Sequence, residues 1–137
     1  IIRNPLEIVN LRGTQFRVFT MHPEQTTEML NSWMHMMFEG LVNAISIDIS
    51  EELKKNGLIA PPTKVTVKEM KTRWGSCSYT RGRISINYEL RTYPIDVVRA
   101  VMWHEYAHYW HPDHSEAFYL FVEKYFPAYR YWHSMLK

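Results

Sequence analysis

The chain has 137 residues, 46% of them hydrophobic and 15% aromatic, with a formal net charge of +2. This length is typical of one domain with a core of its own. No apolar run approaches the ~18 residues needed to span a membrane, and no secretion signal is recognisable, so the sequence predicts no membrane association. Because the chain begins at Ile1, we expect a fragment whose upstream segment is not visible.

Cysteine usage bears on the compartment. Cys77 is the single cysteine of the sequence, so an intramolecular disulfide is excluded and a reducing compartment is favoured. We therefore expect a cytoplasmic protein, in which Cys77 is a small buried residue rather than a nucleophile or a metal ligand.

The N-terminal part of the chain predicts a hairpin followed by a long helix. Residues 6–20 alternate apolar and polar side chains on either side of Arg12-Gly13, as two strands joined by a turn would. Pro23 suits the first turn of a helix, and apolar residues then recur at spacings of three and four as far as Lys55, where Asn56-Gly57 provides a stop. We expect this helix to cross the core as a scaffold.

The apolar positions of the scaffold helix predict its buried face. They are Met29, Leu30, Trp33, Met37, Leu41, Ala44, Ile45, Ile49 and Leu53. The methionine run at positions 34, 36 and 37 is expected to fill the core rather than to form a soft-metal or promiscuous binding surface, since methionine at helical spacing usually does so.

Three short strands are predicted next. Val65 and Val67 alternate with polar neighbours, a second strand should cover 72–79, and a third should cover 83–88 after a turn through Thr80-Arg81-Gly82. We expect a small antiparallel sheet. Within a single compact domain, residues 1–59 would form the N-terminal hairpin and scaffold helix, and residues 60–137 the core that carries the chemistry.

Positive charge is concentrated in the region of this sheet. Residues 61–103 contain eight Lys and Arg and three acidic residues. A nearby acidic substrate or nucleic acid would suit this balance. Ordinary solvated strand faces explain it equally well and are the favoured interpretation.

The next helix carries the motif that points to chemistry. Pro94 suits its first position, and Asp96 is favourable near its positive end. His104 and His108, four residues apart, lie one above the other on a helix and can share one zinc ion. Glu105 is rotated about 100° from His104, too far to join the ligands but well placed to act as general base on a metal-bound water.

Two histidines are available as the third ligand. His111 shares a face with His104, but at 1.5 Å per residue it stands roughly 10 Å away along the axis. Pro112 should end the helix near Trp110 or His111 and turn the chain back, which brings His114 toward the metal. We therefore predict His104, His108 and His114 as ligands of a Zn²⁺ ion.

A capping box is predicted after the turn. Asp113 would be the N-cap, Glu116 lies three residues later, and His114 would sit on the first turn of a helix that runs to about Tyr125. Its inner face would use Phe118, Phe121, Val122 and Tyr125. Pro127 should end this helix, and one or two further helical turns are expected between Tyr129 and Leu136.

An ordered set of motifs runs through the second half of the chain. It consists of Lys71-Thr72-Arg73-Trp74-Gly75-Ser76-Cys77-Ser78, a glycine turn, Ile84-Ser85-Ile86-Asn87, the pair His104-Glu105 with His108 on a proline-started helix, and His114-Ser115 with Phe118. This set resembles the YgjP-like metallopeptidase family, which is related to the SprT-like and WLM zinc peptidases. The resemblance implies an α+β, zincin-like domain in which a scaffold helix and a small sheet pack on the HExxH helix, with zinc on the three histidines and Glu105 catalytic.

The function predicted from these residues is hydrolysis of peptide bonds in a peptide or an unfolded protein. The free edge of the 83–88 strand would hold an extended substrate by backbone pairing. Arg73, Tyr109 and His133 are candidates for stabilising the oxyanion. The alternative is a zinc-stabilised module that binds nucleic acid or protein through the basic sheet with little turnover, but a purely structural site would normally close its fourth ligand position.

Overall fold

The computed structural model describes the backbone of residues 6–11 and 14–19, and residues 26–136 in full. Strands β1, Leu6–Leu11, and β2, Thr14–Phe19, pair antiparallel with Leu11 opposite Thr14. The predicted hairpin is therefore confirmed. Its expected turn, Arg12-Gly13, lies outside the described residues, as does the expected start of the scaffold helix at Pro23.

The scaffold helix is confirmed as α1, Thr26–Lys55. Its stop is the predicted one: Gly57 has a φ of 77°, a conformation that glycine adopts without steric cost. The Gly57 amide donates to the Lys54 carbonyl at 3.0 Å and the Leu58 amide donates to the Leu53 carbonyl at 2.9 Å. These two bonds form a Schellman motif, which satisfies carbonyls that the helix end would leave unpaired.

The buried face of α1 differs from the predicted one. It consists of Phe38, Val42, Ile45, Ile49 and Leu53, so the last two-thirds of the helix pack on the core. The expectation for the methionines was wrong at two positions, because Met36 is 68% exposed and Met37 is 47% exposed. Periodicity shows which residues share a face, but not how far along the helix its packing partners extend.

A three-stranded sheet follows, made of β3, Lys64–Lys68, β4, Gly75–Ser78, and β5, Arg83–Asn87. The predicted antiparallel sheet is wrong in one pairing. β4 and β5 are antiparallel, but β3 and β5 are parallel, and β5 lies in the centre. The segment after β3 reverses the chain before β4 begins, so β3 points the same way as β5. The centre suits β5 because Ile84 and Ile86 are fully buried.

The helix that carries the motif is α2, Ile95–Ala107, and it is the centre of the core. Pro94 is its N-cap rather than its first residue, a difference of one position. The helix ends at Ala107, three residues before the expected end near Trp110 or His111, and tight turns continue the chain from His108 to Trp110. The buried hydroxyl of Tyr106 pairs with Ser46 Oγ at 2.5 Å, which ties α2 to α1.

Two short helices complete the fold: α3, Glu116–Tyr125, and α4, Tyr129–His133. The predicted capping box is wrong. Ser115 is the N-cap of α3, and Asp113 Oδ1 instead accepts a hydrogen bond from the Ser115 amide at 3.3 Å. His114 therefore lies in the loop before α3, where its backbone is not constrained to helical geometry. The inner face of α3 is as predicted, with Phe118 and Val122 buried.

These elements form the predicted α+β architecture, in which a long helix and a small sheet pack on the helix that carries the histidines. Among the described residues, none of the helices combines the length and the apolar character needed to cross a membrane.

Candidate metal centre

Three imidazoles converge at the C-terminal end of α2. His104 belongs to the last turn of the helix, His108 caps it, and His114 approaches from the loop that follows. Their ligand nitrogens all lie within 4.8 Å of one another. The structure thus brings together the three histidines that the sequence predicted as ligands, from two segments that the turn at Pro112 folds against each other.

The spacing of the nitrogens fits one small ion. His114 Nε2 lies 3.1 Å from His104 Nε2 and 3.2 Å from His108 Nε2. Nitrogens bound to one tetrahedral zinc at 2.0 to 2.1 Å stand about 3.3 Å apart. Two of the three separations therefore match the edge of a tetrahedral site, and the three histidines line a cleft.

Hydrogen bonds at the Nδ1 atoms of His104 and His108 orient these rings so that their Nε2 atoms face the candidate metal position. His104 Nδ1 lies 2.7 Å from the Tyr129 hydroxyl, and His108 Nδ1 lies 3.1 Å from the His111 carbonyl. A carbonyl only accepts, so the His108 proton sits on Nδ1 and the lone pair is on Nε2. At His104 either partner can donate, but with a metal on Nε2 the proton is on Nδ1, which then donates to the Tyr129 oxygen. Such partners orient metal-binding histidines and raise their basicity.

Electrostatics keep these rings in the form that binds a metal. Burial, together with the neighbouring His108, His133 and His114, lowers the pKa of His104 to about 3. Burial also lowers the pKa of His108, against hydrogen bonds from the backbone at His111 and Pro112 that raise it. Because metal binding requires neutral imidazole, these rings need lose no proton to bind an ion.

Glu105 lies beside the three imidazoles and is 6% exposed. Burial raises the pKa of its carboxyl to about 8, although the Arg73 guanidinium opposes this shift. A divalent cation nearby favours the charged carboxylate and would bring this pKa down. Burial thus favours the protonated carboxyl in the metal-free protein, and a bound cation would favour its ionisation.

Gly75 of β4 allows Glu105 to sit where it does. A Cβ at this position would lie 3.0 Å from Glu105 Oε2 and 3.0 Å from Val101 Cγ1. These are closer than ordinary van der Waals contacts, so a Cβ here requires the Glu105 and Val101 side chains to move by a few tenths of an ångström. The glycine of the Trp74-Gly75-Ser76 segment is therefore explained by close packing between β4 and α2.

A cleft of about 410 Å³ lies over the histidines and Glu105. Along one side it is lined by Arg73, Gly75, Ser76, Cys77 and Tyr79, and along the other by Pro112. β4 is an edge strand of the sheet, since its only partner in the sheet is β5. The expectation that the 83–88 strand offers a free edge is wrong, because β5 is paired on both sides. The open edge beside the histidines belongs to β4.

Other residues singled out in the sequence lie apart from the ligand set. The His111 ring packs on Phe121 at 5.3 Å, and only its carbonyl touches the site. The Tyr109 hydroxyl is bonded to Thr63 Oγ1 at 2.7 Å, which ties the connector before β3 to the end of α2. Cys77 is half-buried, and burial raises the pKa of its thiol to about 11, in keeping with an unreactive cysteine.

Tyr129 and His133 are the contributions of α4 to the site. The His133 ring stacks on His104 at 5.4 Å, with an interplanar angle of 7°. Sequence reasoning missed Tyr129 because its contact with His104 joins residues 25 positions apart. No local pattern marks it, since it depends on how α4 packs against α2.

The chain is similar to known proteins both in sequence, to a protein family, and in fold, to a solved structure. A family model described as a YgjP-like metallopeptidase domain matches residues 8–137. Among solved structures, the crystal structure of the metallopeptidase zymogen of Pyrococcus abyssi abylysin is similar, with a TM-score of 0.57 and 22% sequence identity over 72% of this chain and 90% of that chain. At this identity the likeness concerns the fold. No curated protein matches the sequence.

Proposed function

Because the chain belongs to the YgjP-like metallopeptidase family and is a peptidase, we propose that its cofactor is Zn²⁺, held by His104, His108 and His114, and that Glu105 is its general base. The observation that carries the proposal is the convergence of three Nε2 atoms beside a buried carboxyl group. Three imidazoles suit zinc, copper and nickel. An incomplete shell with one open position is typical of catalytic zinc.

Zinc in this position would polarise the carbonyl of the scissile bond and lower the pKa of a water molecule toward 7. Glu105 accepts the proton of that water and passes it to the departing amine. Its carboxyl group packs closely against the backbone at Gly75. The low exposure of Glu105 excludes bulk water, so the proton it carries is delivered to the substrate rather than lost.

The substrate lies along the open edge of β4. The Asn87 amide donates to the Trp74 carbonyl at 2.9 Å, and hydrogen-bonded pairs alternate along an antiparallel ladder. The amide groups of Gly75 and Cys77 therefore point away from β5, toward the cleft. Antiparallel pairing is slightly more stable per residue than parallel pairing, so we propose that an extended peptide runs along this edge from Ser78 toward Gly75. Its backbone pairing would confer affinity with weak dependence on sequence.

The experiment compares wild type and Glu105→Gln, each loaded with zinc and verified by metal analysis, in the hydrolysis of an unfolded protein. We expect cleavage by wild type and loss of at least ~100-fold in Glu105→Gln, as for removal of a general base. Glu116→Gln is the matched control, since Glu116 is exposed on the first turn of α3. Wild type that binds no zinc, or equal cleavage by wild type and Glu105→Gln, would refute the proposal. Salt-dependent binding of nucleic acid without any cleavage would favour a binding module instead.

A further inference from the structure

Arg73 is the one permanently charged cation among the described residues that line the cleft. Its side chain is exposed. It lies at the end of the cleft where β4 begins, two residues before Gly75, and Tyr79 lines the opposite end. The cleft is therefore electrically asymmetric along the strand that we propose pairs with substrate.

The backbone that carries Arg73 is fixed by a buried asparagine. Asn87 is 4% exposed, and its side-chain amide donates to the Arg73 carbonyl at 2.8 Å and to the Met70 carbonyl at 2.9 Å. The Asn87 backbone amide also donates to the Trp74 carbonyl at 2.9 Å. The segment before β4 is thus tied to the central strand, and the guanidinium extends from a fixed point beside the cleft.

Arg73 forms no ion pair among the described residues. Three other arginines do have one: Arg91 pairs with Glu89, Arg99 with Asp96, and Arg130 with Glu123. Glu105 is close enough for the Arg73 guanidinium to oppose the rise in the pKa of its carboxyl, but the two side chains form no ion pair. The guanidinium therefore retains its donors for a group that enters the cleft.

The direction of the substrate decides which part of it meets Arg73. A peptide antiparallel to β4 passes Ser78 first and Gly75 last, so its C-terminal half lies toward Arg73. We propose that Arg73 binds a carboxylate of the substrate on the C-terminal side of the scissile bond. This inference rests on the proposed peptidase function. The carboxylate is the side chain of Asp or Glu, or the free C-terminus of a short peptide. Guanidinium suits either one, since it can form two parallel hydrogen bonds to a carboxylate.

The test begins with a mixture of synthetic peptides digested by the zinc-loaded protein, and mass spectrometry locates the cleaved bonds. Matched peptides then carry Glu, Gln or Lys at each position after the preferred bond, and each is made as a free acid and as an amide. The first comparison identifies a side-chain carboxylate and the second identifies a terminal one. Wild type is compared with Arg73→Gln and Arg73→Glu. Arg83→Gln is the control, because Arg83 is exposed on β5 and does not line the cleft.

We expect the carboxylate-bearing member of a pair to be cleaved by wild type with a kcat/KM about tenfold higher, as befits a charge-assisted hydrogen bond. The preference should vanish in Arg73→Gln, reverse toward Lys in Arg73→Glu and persist in Arg83→Gln. Wild type that cleaves all members of the set equally, or a preference that survives in Arg73→Gln, would overturn the inference while leaving the peptidase function intact.

Binding provides a readout that does not depend on turnover. Fluorescence anisotropy of labelled peptides on the zinc-loaded Glu105→Gln variant should give about tenfold tighter binding of the carboxylate member of the pair. Adding Arg73→Gln should remove the difference. Absence of any cleavage by wild type would count against the proposed function. Equal binding of the two peptides would separately count against the role of Arg73.

Discussion

Tyr129→Phe tests whether the bond behind His104 supports metal binding. The Tyr129 hydroxyl lies 2.7 Å from His104 Nδ1, and Tyr129 is 2% exposed. Phenylalanine keeps the ring and its packing and removes only the oxygen. In the metal-free variant the imidazole can move its proton to Nε2. When a metal occupies Nε2, the proton must stay on Nδ1, where the variant offers no acceptor. The unsatisfied N–H therefore destabilises only the metal-bound state.

The size of the effect follows from the burial of this bond. Leaving a buried donor unsatisfied costs about 1 to 3 kcal/mol. Loss of the hydrogen-bond partner of a metal-binding histidine typically weakens metal affinity by about 10- to 100-fold, which is about 1.4 to 2.7 kcal/mol. The two estimates agree, and we expect the Kd for zinc to rise within this range.

The assay is competition for zinc between the protein and a chromophoric chelator. Tyr125→Phe is the matched control, since Tyr125 stacks on Trp103 at 5.3 Å and its hydroxyl has no hydrogen-bond partner among the described residues. We expect the Kd of this control to equal that of wild type. An unchanged Kd in Tyr129→Phe, in a protein where His104→Ala abolishes zinc binding, would refute the reasoning.

Three further outcomes are expected. In Gly75→Ala the new Cβ would lie 3.0 Å from Glu105 Oε2, so the carboxylate shifts and kcat/KM for peptide cleavage should fall about 100-fold; wild-type activity would contradict the packing argument. Gly82→Ala places a Cβ 2.5 Å from the Pro62 carbonyl oxygen at a φ of 64°. Urea denaturation should therefore show that the free energy of unfolding falls by about 2 kcal/mol or more. An unchanged midpoint of the urea transition would contradict this. Finally, burial raises the pKa of the Glu105 carboxyl from 4.5 to about 8 in the metal-free protein, so between these pH values the folded state holds a proton that the unfolded state releases. Metal-free wild type should therefore lose stability as pH rises through this window, and the stabilisation by Glu105→Gln should grow from near zero at pH 4.5 to a few kcal/mol above pH 8; a difference that does not vary with pH would contradict it.

Local chemistry made the central features predictable from the sequence. The spacing of His104 and His108 needs only a helix to align them, and Pro112 needs only its ring to end that helix and bring His114 back. The stop at Gly57 likewise depends on backbone geometry at one position. In each case the residues that decide the structure are neighbours along the chain, so their effect can be worked out before the fold is known.

The features that were missed depend on contacts between distant segments. Alternation in β3 shows which side chains share a face, but not that β5 would be its parallel neighbour. The exposure of Met36 depends on where the core ends along α1. The hydroxyl of Tyr129 reaches His104 only through the packing of α4 on α2. The spacing of residues along the sequence does not reveal which distant segments will be in contact.

The substrate edge illustrates how one topological fact alters a functional hypothesis. The 83–88 strand alternates apolar Ile84 and Ile86 with polar residues, and its edge was the expected partner of an extended peptide. The same alternation is the reason that it is buried in the centre, with β3 on one side and β4 on the other. The strand available to substrate is the shorter β4, whose Gly75 contacts Glu105.

The most direct test of the proposed zinc site is anomalous X-ray diffraction at the absorption edge of zinc, measured from crystals of the zinc-loaded protein. We predict one strong peak, about 2.0 to 2.1 Å from the Nε2 atoms of His104, His108 and His114, with no protein atom in the fourth position and the Glu105 carboxylate outside the ligand shell. A peak elsewhere, or a shell closed by a fourth protein ligand such as His111 or His133, would contradict it.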